Sequence, residues 1–271
     1  MVLCAYVTFD DPDGHDDERQ TVLEAWRHTG IDGRAERWDD PETDWSAYDA
    51  VVVRSVWDYL DRRDEFLAWA RRVERVSRLL NPAVVLESNT DKTYLRDLGV
   101  PIVPTHWSSR DLPDHEEYVV KPSISASARD TTRTADRAEA AARAAALEAA
   151  GRTPMVQPYL DMVESEGETS LLYFNRRFSH AVRRSPMLAP GMTGADNVRA
   201  QPRTPAPDQV ELAEKVLADI PQPLLYARVD LVRLPGGAPA LIELELTEPY
   251  LYLNQADGSA ARFAAALREL L

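Results

Sequence analysis

The sequence LYARVDLVRLPGGAPALIELELTEPYLY (Leu225–Tyr252) contains two segments with the alternation of β-strands, separated by a Pro-Gly-Gly turn signal. This pattern predicts an antiparallel hairpin. In the first strand, Arg228 and Asp230 lie on one face. In the second strand, Glu243 and Glu245 share one face, and the other face carries the apolar side chains Ile242, Leu244 and Leu246. The hairpin therefore brings three carboxylates together.

Carboxylates this close repel one another unless protons, arginines or a metal ion balance their charge. Oxygen-rich clusters suit Mg²⁺, which binds through one or two carboxylates together with substrate phosphates. A solvent-facing pair of edge strands is the alternative. Against it, the segment ELELTEP (243–249) carries three glutamates and no lysine. The pattern favours a metal site formed by Asp230, Glu243 and Glu245.

The composition of the 271-residue chain argues against several classes of partner. A formal net charge of −14 and a pI near 4.8 disfavour nucleic acid and anionic membranes. Cys4 is the single cysteine, which excludes an internal disulfide, and neither a leader-like segment nor a long apolar run stands out. We therefore expect a soluble, cytoplasmic protein with two or three subdomains around a cleft. Its oligomeric state stays open, a homo-oligomer included.

Several common catalytic signatures are absent from the sequence. It contains no GxxxxGK[ST] loop, no GxGxxG, no HExxH, no CxxC pair and no GxSxG elbow. The five histidines show no metal-ligand spacing. Zinc chemistry and hydrolysis by a serine or cysteine nucleophile are therefore disfavoured.

Lysine is rare, since the 31 basic residues include only Lys92, Lys121 and Lys215. Lys121 ends an apolar strand and precedes a loop of small residues that includes Ser123 and Ser125. Such a loop is able to fold over a polyphosphate while the ammonium neutralises charge, although a lysine beside a surface loop is the alternative. Lys92 begins a helix, where the helix dipole disfavours a cation unless an anion binds there or Asp91 caps the helix.

Apolar strands and amphipathic helices alternate over about the first 85 residues, which predicts a small parallel α/β unit. The predicted strands are 2–9, 35–38 and 48–53, and the predicted helices are 18–29 and 64–79. Ligands bind beyond the C-terminal ends of such strands. Arg54 and Asp58 follow the YDAVVV strand and are candidate substrate contacts. An ordinary ion pair is the alternative for Arg54.

A second unit follows, with predicted strands at 100–105, 117–122 and 154–160 and predicted helices at 89–98 and 135–150. Gln157, Tyr159 and Leu160 end its last strand, where the backbone could pair with an adenine edge, or simply link two subdomains. Glu166-Gly167-Glu168 is a candidate for binding a ribose hydroxyl or a metal, or is a charged turn.

The third region begins with a hairpin around Asn175-Arg176 and ends with a helix at 259–270. Before the acidic hairpin it also contains a predicted helix at 208–219. The loop 186–203 is rich in Pro, Gly and Ala and is long enough to be a mobile or active-site segment.

In this order, NTDK, VVKPSIS, VQPYL, GE, RVD and ELELTEP resemble the motifs of the ATP-grasp superfamily over residues 89–255. The resemblance implies an α/β (α+β) fold with a pre-ATP-grasp domain at 1–88. It also implies a lid-like N-terminal ATP-grasp subdomain at 89–155 and a C-terminal subdomain with the metal site at 156–271. VRSVWDY, YARVDLV and ELELTEP are most similar to the branch that contains the cycloserine-forming (O-ureidoserine) cyclo-ligase of antibiotic biosynthesis.

The resemblance implies that ATP phosphorylates a small amino-acid-like carboxylate, which an amine then attacks, releasing ADP. In a cyclo-ligase the amine belongs to the same molecule. Two Mg²⁺ ions, or Mn²⁺ in their place, would be held by Asp230, Glu243 and Glu245. The implied nucleotide contacts are Lys92, Lys121, Ser123, Ser125, Gln157, Tyr159, Leu160 and Glu168. Arg183 and Arg228 would steady the phosphates as catalytic residues, and Arg54 and Asp58 would bind the substrate.

Two positions depart from the family pattern. Glu245 stands where glutathione-synthetase-like members have Asn. The usual basic residue after the Gly-acidic pair is missing, and Arg183, Arg184 or Arg228 are the candidates to replace it. The alternative functions are a non-catalytic nucleotide-binding or regulatory protein and an ATP-grasp phosphotransferase. The intact lysines and carboxylates argue against loss of activity.

Overall fold

The computed structural model describes residues 2–11, 13–126, 128–185, 188 and 199–271, which form three sheets. The first sheet contains β1 (Val2–Thr8), β2 (Ile31–Arg37), β3 (Ala50–Ser55) and β4 (Arg78–Leu80). Its strands are all parallel, in the order β2-β1-β3-β4. Three helices connect or follow these strands, α1 (Arg19–His28), α2 (Arg63–Glu74) and α3 (Ala83–Asn89). The predicted parallel α/β unit is confirmed.

The predicted helix 64–79 is wrong at its C-terminal end. The helix stops at Glu74, and the chain continues into β4, whose Leu79 and Leu80 pair with the buried strand β3. Val76, which the helical spacing placed in the core, is 54% exposed. Pairing beside a buried parallel strand buries the two leucines and overrides the local helical pattern.

The second sheet is antiparallel and contains β5 (Tyr118–Pro122), β6 (Thr132–Thr134) and β7 (Pro154–Pro158) in the order β6-β5-β7. Helix α4 (Arg137–Ala149) packs on it through the buried Ala140 and Ala144. The Asp136 carboxylate caps this helix by accepting from the Ala138 amide at 2.8 Å. The predicted helix 89–98 is only a short 3₁₀ turn, Lys92–Arg96.

The third sheet contains five antiparallel strands in the order β10-β9-β8-β11-β12. They are β8 (Glu168–Phe174), β9 (Arg177–Arg184), β10 (Ala200–Pro202), β11 (Tyr226–Arg233) and β12 (Pro239–Glu245). The remaining helices are α5 (Met162–Ser165), α6 (Pro207–Ala218) and α7 (Ser259–Leu270). Both predicted hairpins are confirmed. Most of the predicted loop 186–203 lies outside the described residues.

The edge strand β12 is covered by segments that come before the second sheet. The Val103 amide donates to the Leu241 carbonyl at 3.0 Å, and the Leu241 amide donates to the Pro101 carbonyl at 2.9 Å. The predicted strand 100–105 is therefore wrong, since only isolated bridges form there, but its apolar residues do pack along a sheet.

The first and third sheets share one apolar core. Trp26 of α1, Phe263 of α7 and Tyr226 of β11 are all fully buried in it. This packing places the C-terminal ends of the parallel strands beside the acidic hairpin. The division at residues 88 and 155 stays a prediction. Among the described residues, no helix has both the length and the apolar character needed to cross a membrane.

Candidate active site

The acidic hairpin forms with Asp230 opposite Glu243 and Arg228 opposite Glu245. Asp230, Glu243 and Glu245 each offer a carboxylate oxygen, and these oxygens lie within 4.8 Å of one another. The prediction that three carboxylates converge is confirmed. All the ligand atoms that these side chains offer to a metal ion are oxygens, and Mg²⁺ prefers oxygen ligands.

The predicted apolar face of β12 is wrong at one position. The register between β11 and β12 shifts after Asp230, so that Leu241 rather than Ile242 joins Leu244 and Leu246 in the core. Ile242 packs in a separate cluster with Val103, Val232 and Leu160. A β-bulge adds one residue and so reverses the side-chain alternation beyond it.

Two polar side chains fix the outer edge of β12 opposite its carboxylates. The Tyr94 hydroxyl donates to the Leu244 carbonyl at 2.9 Å and accepts from the Leu244 amide at 2.8 Å. The Asn89 side chain donates to the same carbonyl at 2.8 Å and accepts from the Leu246 amide at 2.7 Å. These bonds take the place of a neighbouring strand and hold the backbone that carries Glu243 and Glu245.

Two arginines bind the carboxylates from within the third sheet. The Arg228 Nε lies 3.0 Å from Oδ1 of Asp230, and its Nη2 contacts Glu245. The Arg184 Nη2 lies 2.8 Å from Oδ2 of Asp230 and also contacts Glu168. Burial alone would raise the pKa of Asp230, but the two guanidinium groups outweigh it and hold this pKa below its usual value.

Two lysines approach the same carboxylates from outside the third sheet. The Lys92 Nζ lies 3.2 Å from Oε1 of Glu243 and donates to the Ser125 carbonyl. Lys121 lies at the end of β5, where burial lowers the pKa of its ammonium group and Glu243 opposes that shift. Burial would raise the pKa of Glu243, but Lys92 and Lys121 together hold it below its usual value. The sparse lysines and the acidic hairpin therefore form one site.

The small-residue loop lies against Lys92. The Lys92 amide donates to the Ser123 carbonyl at 2.9 Å. Ser123 is buried, and the Ser125 hydroxyl donates to the Pro122 carbonyl at 3.1 Å. Ser127 lies outside the described residues.

Two further carboxyls of the site titrate near neutral pH. Burial raises the pKa of Glu245 to about 7, against the opposing effect of Arg228. Burial and the neighbouring Glu245 raise the pKa of Glu248 to about 8. Burial also raises the pKa of Glu168, although Arg184 opposes it. Such shifts concentrate at functional sites, where charges are held close together out of water.

The predicted adenine contacts lie where the second sheet meets the third. The Gln157 amide group donates to the Thr105 hydroxyl at 2.8 Å, and Leu160 is buried in the cluster that contains Ile242. The Tyr159 amide donates to a carbonyl at 2.9 Å, and its ring lies 3.4 Å from the Arg133 guanidinium carbon. These positions suit a hinge, and their role toward a nucleotide stays a prediction.

The structure places three predicted site residues away from the open part of the site. Arg54 is 2% exposed and donates to the Pro249 carbonyl at 2.8 Å, so its position does not support the predicted substrate contact. The Asp58 carboxylate accepts from the Trp38 indole at 2.9 Å, and its role in substrate binding stays a prediction. Arg183 donates to the Glu166 carbonyl at 2.7 Å and is not among the described residues that contact the carboxylate cluster.

A register shift explains why Arg184, and not Arg183, contacts the carboxylate cluster. Counting back from the turn at Asn175-Arg176 in regular register sets Arg183 opposite Glu168. The register shifts between Leu172 and Tyr173, so that Arg184 takes that place. The bulge turns the Arg183 side chain to the other face, so its position does not support the implied catalytic role, which stays a prediction.

Other residues of the site were missed because their partners are far away in the sequence. Asn89 and Tyr94 act on β12 from about 150 residues upstream. The only local signal was their position beside Lys92. Glu248 was visible as the third glutamate of ELELTEP, but the sequence assigned it no role.

Comparisons with known proteins agree with this geometry. The family model described as the N-terminal domain of D-cycloserine synthetase DcsG matches residues 4–81. The cycloserine biosynthesis protein DcsG of Streptomyces lavendulae is 38% identical over 278 residues, which cover 92% of each chain. The crystal structure of a D-cycloserine synthetase DcsG superposes with a TM-score of 0.90 and 36% identity, over 99% of each chain.

More distant solved structures share the fold. An ATP-grasp protein with a RimK domain from Sphaerobacter thermophilus matches with a TM-score of 0.71 and 14% identity, over 98% of this chain and 99% of the other. The ATP-grasp ligase PsnB, in a complex with a precursor variant, Mg and ADP, matches with a TM-score of 0.68 and 15% identity, over 99% of this chain and 98% of the other. The predicted ATP-grasp fold is confirmed.

Proposed function

The chain belongs to the DcsG family of ATP-grasp ligases, and from this premise we propose that it closes the ring of cycloserine or of a close analogue. ATP would phosphorylate the carboxylate of an O-substituted serine, and the nitrogen on the side-chain oxygen of the same molecule would attack the acyl phosphate and displace phosphate. With a ureido substituent, that nitrogen also carries a carbamoyl group, which hydrolysis would remove as CO₂ and NH₃. The observation that carries the proposal is the convergence of Lys92 and Lys121 on a cluster of three carboxylates.

One part of the site would bind the nucleotide and another part would bind the metal ions. Lys92 and Lys121 would bind the ATP phosphates beneath the loop of Ser123 and Ser125, with the adenine at the hinge that ends in Leu160. Asp230, Glu243 and Glu245 would hold two Mg²⁺ ions, with Mn²⁺ able to replace them. When bound, Mg²⁺ neutralises the charge that develops on the transferred phosphoryl group.

The arginines of the site position the carboxylates and neutralise their charge. Arg228 and Arg184 fix the two oxygens of Asp230 and leave Glu245 and Glu168 tied to the same guanidinium groups. A carboxylate is a poor electrophile, and its phosphorylation needs alignment and charge neutralisation more than a protein nucleophile. The described site contains lysines, arginines and carboxylates in contact, which suits that chemistry.

The proposal is tested with the purified chain, ATP and Mg²⁺, by measuring ADP release and the cyclic product. O-Ureidoserine, in both enantiomers, is compared with a panel of amino acids, each with and without added hydroxylamine. We expect ADP release and cycloserine formation from O-ureidoserine alone. Turnover that depends on a second amine would indicate intermolecular ligation, and tight ATP binding without turnover on any compound would favour a regulatory protein.

We also propose a cytoplasmic location, which is supported by the use of ATP and by the buried free thiol of Cys4. A homo-oligomer remains part of the proposal, and light scattering of the purified protein would determine the oligomeric state.

A further inference from the structure

Glu248 differs from the other carboxyls of the site in its charge balance. Asp230, Glu243 and Glu245 each form an ion pair with Arg184, Arg228 or Lys92, and Glu168 pairs with Arg184. In the part of the chain that the structure describes, Glu248 forms no such pair. Burial and the carboxylates of Glu245 and Glu243 raise the pKa of Glu248, and Lys92 opposes that rise. A half-buried carboxyl in this setting lacks a cation.

The backbone around Glu248 is fixed by the end of β3 and the loop that follows it. The Trp57 indole donates to the Glu248 carbonyl at 3.3 Å, and Arg54 donates to the next carbonyl, that of Pro249. Tyr59 is buried, and hydrogen bonding to its hydroxyl opposes the rise in the pKa of the Glu248 carboxyl. Glu248 therefore lies between the C-terminal edge of the parallel sheet and the metal cluster, where α/β sheets bind their ligands.

Glu248 also lies close to the proposed site of phosphoryl transfer. It follows Glu245 by three residues, so an extended chain separates their Cα atoms by roughly 10 Å at most. In an amino acid, the ammonium and carboxylate groups are attached to neighbouring carbons. An ammonium bound at Glu248 would therefore direct its carboxylate toward the metal cluster.

We propose that Glu248 binds the α-ammonium group of the amino-acid substrate, with the Tyr59 hydroxyl holding the carboxylate in place. This assignment rests on the proposed function and adds to it a requirement that the substrate carry a free α-amine. The contact supplies the missing cation and keeps the α-amine protonated, so that the side-chain nitrogen alone attacks the activated carboxyl. Glu248 is in this view a specificity residue, distinct from the metal ligands.

The test compares O-ureidoserine with its desamino analogue, 3-(ureidooxy)propanoate, in the native chain and in Glu248→Gln. Gln preserves size and removes the charge. Because a hydrogen bond between charged groups contributes roughly 10- to 100-fold in affinity, we expect the native chain to prefer the amino substrate by about that factor in kcat/KM. The variant should lose the preference, while its KM for ATP stays within about 2-fold. Glu248→Asp should restore part of it.

Glu211→Gln is the matched control, since Glu211 pairs with Lys215 on the exposed face of α6. It should behave as the native chain with both compounds. An equal loss of kcat/KM on both compounds in Glu248→Gln would overturn the assignment, because the carboxyl would then act without reference to the α-amine. Thermal melting with and without Mg-ADP identifies a variant that fails to fold, and Glu248→Asp then serves as the test variant.

Failure of the proposed reaction gives a different result. If the native chain turns over neither compound, the ring-closing function is wrong. Calorimetric binding of the two compounds in the presence of Mg-ADP then decides the ammonium contact alone. A higher affinity for the amino compound that disappears in Glu248→Gln supports the contact, and equal affinities in the native chain refute it.

Discussion

Glu243→Gln should abolish turnover while leaving the fold intact, because the effects of this substitution on stability nearly cancel. The Lys92 ammonium lies 3.2 Å from Glu243, and at an effective dielectric constant of about 20 this attraction is roughly 5 kcal/mol. Glu243 also lies 4.8 Å or less from oxygens of Asp230 and Glu245, and each of these repulsions is about 3.5 kcal/mol or more on the same scale. The two repulsions exceed the attraction of Lys92 by about 2 kcal/mol or more, and the attraction of Lys121 for Glu243 reduces that excess, so the substitution should not lower the free energy of unfolding.

The effect on catalysis has no such compensation. Removing one preorganised charge-stabilising group from a phosphoryl or acyl transfer site costs roughly 10²- to 10³-fold in rate. The loss of a metal ligand should exceed that range, so we expect kcat to fall by at least about 10³-fold and the Mg²⁺ requirement to rise.

The assay is Mg²⁺-dependent ADP release, measured over a Mg²⁺ titration, together with urea unfolding of the metal-free protein. Glu211→Gln is the control, because Glu211 pairs with Lys215 on the exposed face of α6, outside the carboxylate cluster. Activity within about 3-fold of the native chain would refute the metal assignment. A large loss of stability without ligand would refute the charge balance worked out above.

Three further outcomes follow from the site. The pKa values of Glu245 and Glu248 are raised to about 7 and about 8, so the folded metal-free protein binds more protons than the unfolded chain between about pH 4.5 and pH 8. Thermal melting should therefore show that stability falls as pH rises through that window. The fall should be smaller in Glu248→Gln. Arg184→Lys should lower kcat by about 10²-fold, whereas Arg183→Lys should stay within about 3-fold in the same ADP assay. The opposite result would indicate that Arg183, and not Arg184, faces the carboxylate cluster. Tyr94→Phe leaves the Leu244 amide without its acceptor and should lower the free energy of unfolding in urea by about 1–3 kcal/mol and raise the Mg²⁺ requirement. If neither quantity changes, the bond between Tyr94 and β12 does not support the metal site.

The sequence predicted those parts of the site whose signals are local. The Pro-Gly-Gly turn and the alternation on either side of it set Asp230 near Glu243 and Glu245, and the structure confirms this. The scarcity of lysine identified Lys92, at the start of a 3₁₀ turn, and Lys121, in the second sheet, and both approach the hairpin from outside the third sheet. Local signals were sufficient for the lysines because Lys92 begins a 3₁₀ turn and Lys121 lies at the end of β5.

The two bulges were not predicted, and the predicted face of Ile242, beyond one of them, was wrong. Strand alternation has a period of two residues, so one extra residue exchanges the two faces. This happened twice, once between Leu172 and Tyr173, which brought Arg184 to Asp230, and once after Asp230. The sequence carries no glycine or proline at either step, and the shift is therefore decided by packing with distant strands.

Arg54 is a buried cation whose ion pair with Glu18, at 3.7 Å, fits the alternative that the sequence left open. Arg54 follows a strand at the edge where ligands bind, which made it a candidate for substrate binding. In the folded chain its guanidinium lies 5.1 Å from the centre of the Tyr226 ring and donates to the Pro249 carbonyl. These contacts span more than 170 residues of sequence and have no local signature. Arg54 instead fixes the segment that carries Glu248.

The charge of the site constrains how its ligands bind. Four cationic side chains (Lys92, Lys121, Arg184, Arg228) face five carboxyls (Glu168, Asp230, Glu243, Glu245, Glu248), two of which have pKa values near neutrality. The side chains of the site are thus close to electrical balance among themselves. ATP alone would add about four negative charges and two Mg²⁺ ions alone would add four positive charges, and either change is costly out of water. The two together leave the balance unchanged, so ATP affinity should depend steeply on Mg²⁺. A substrate ammonium at Glu248 would then neutralise a carboxyl that forms no ion pair within the described residues.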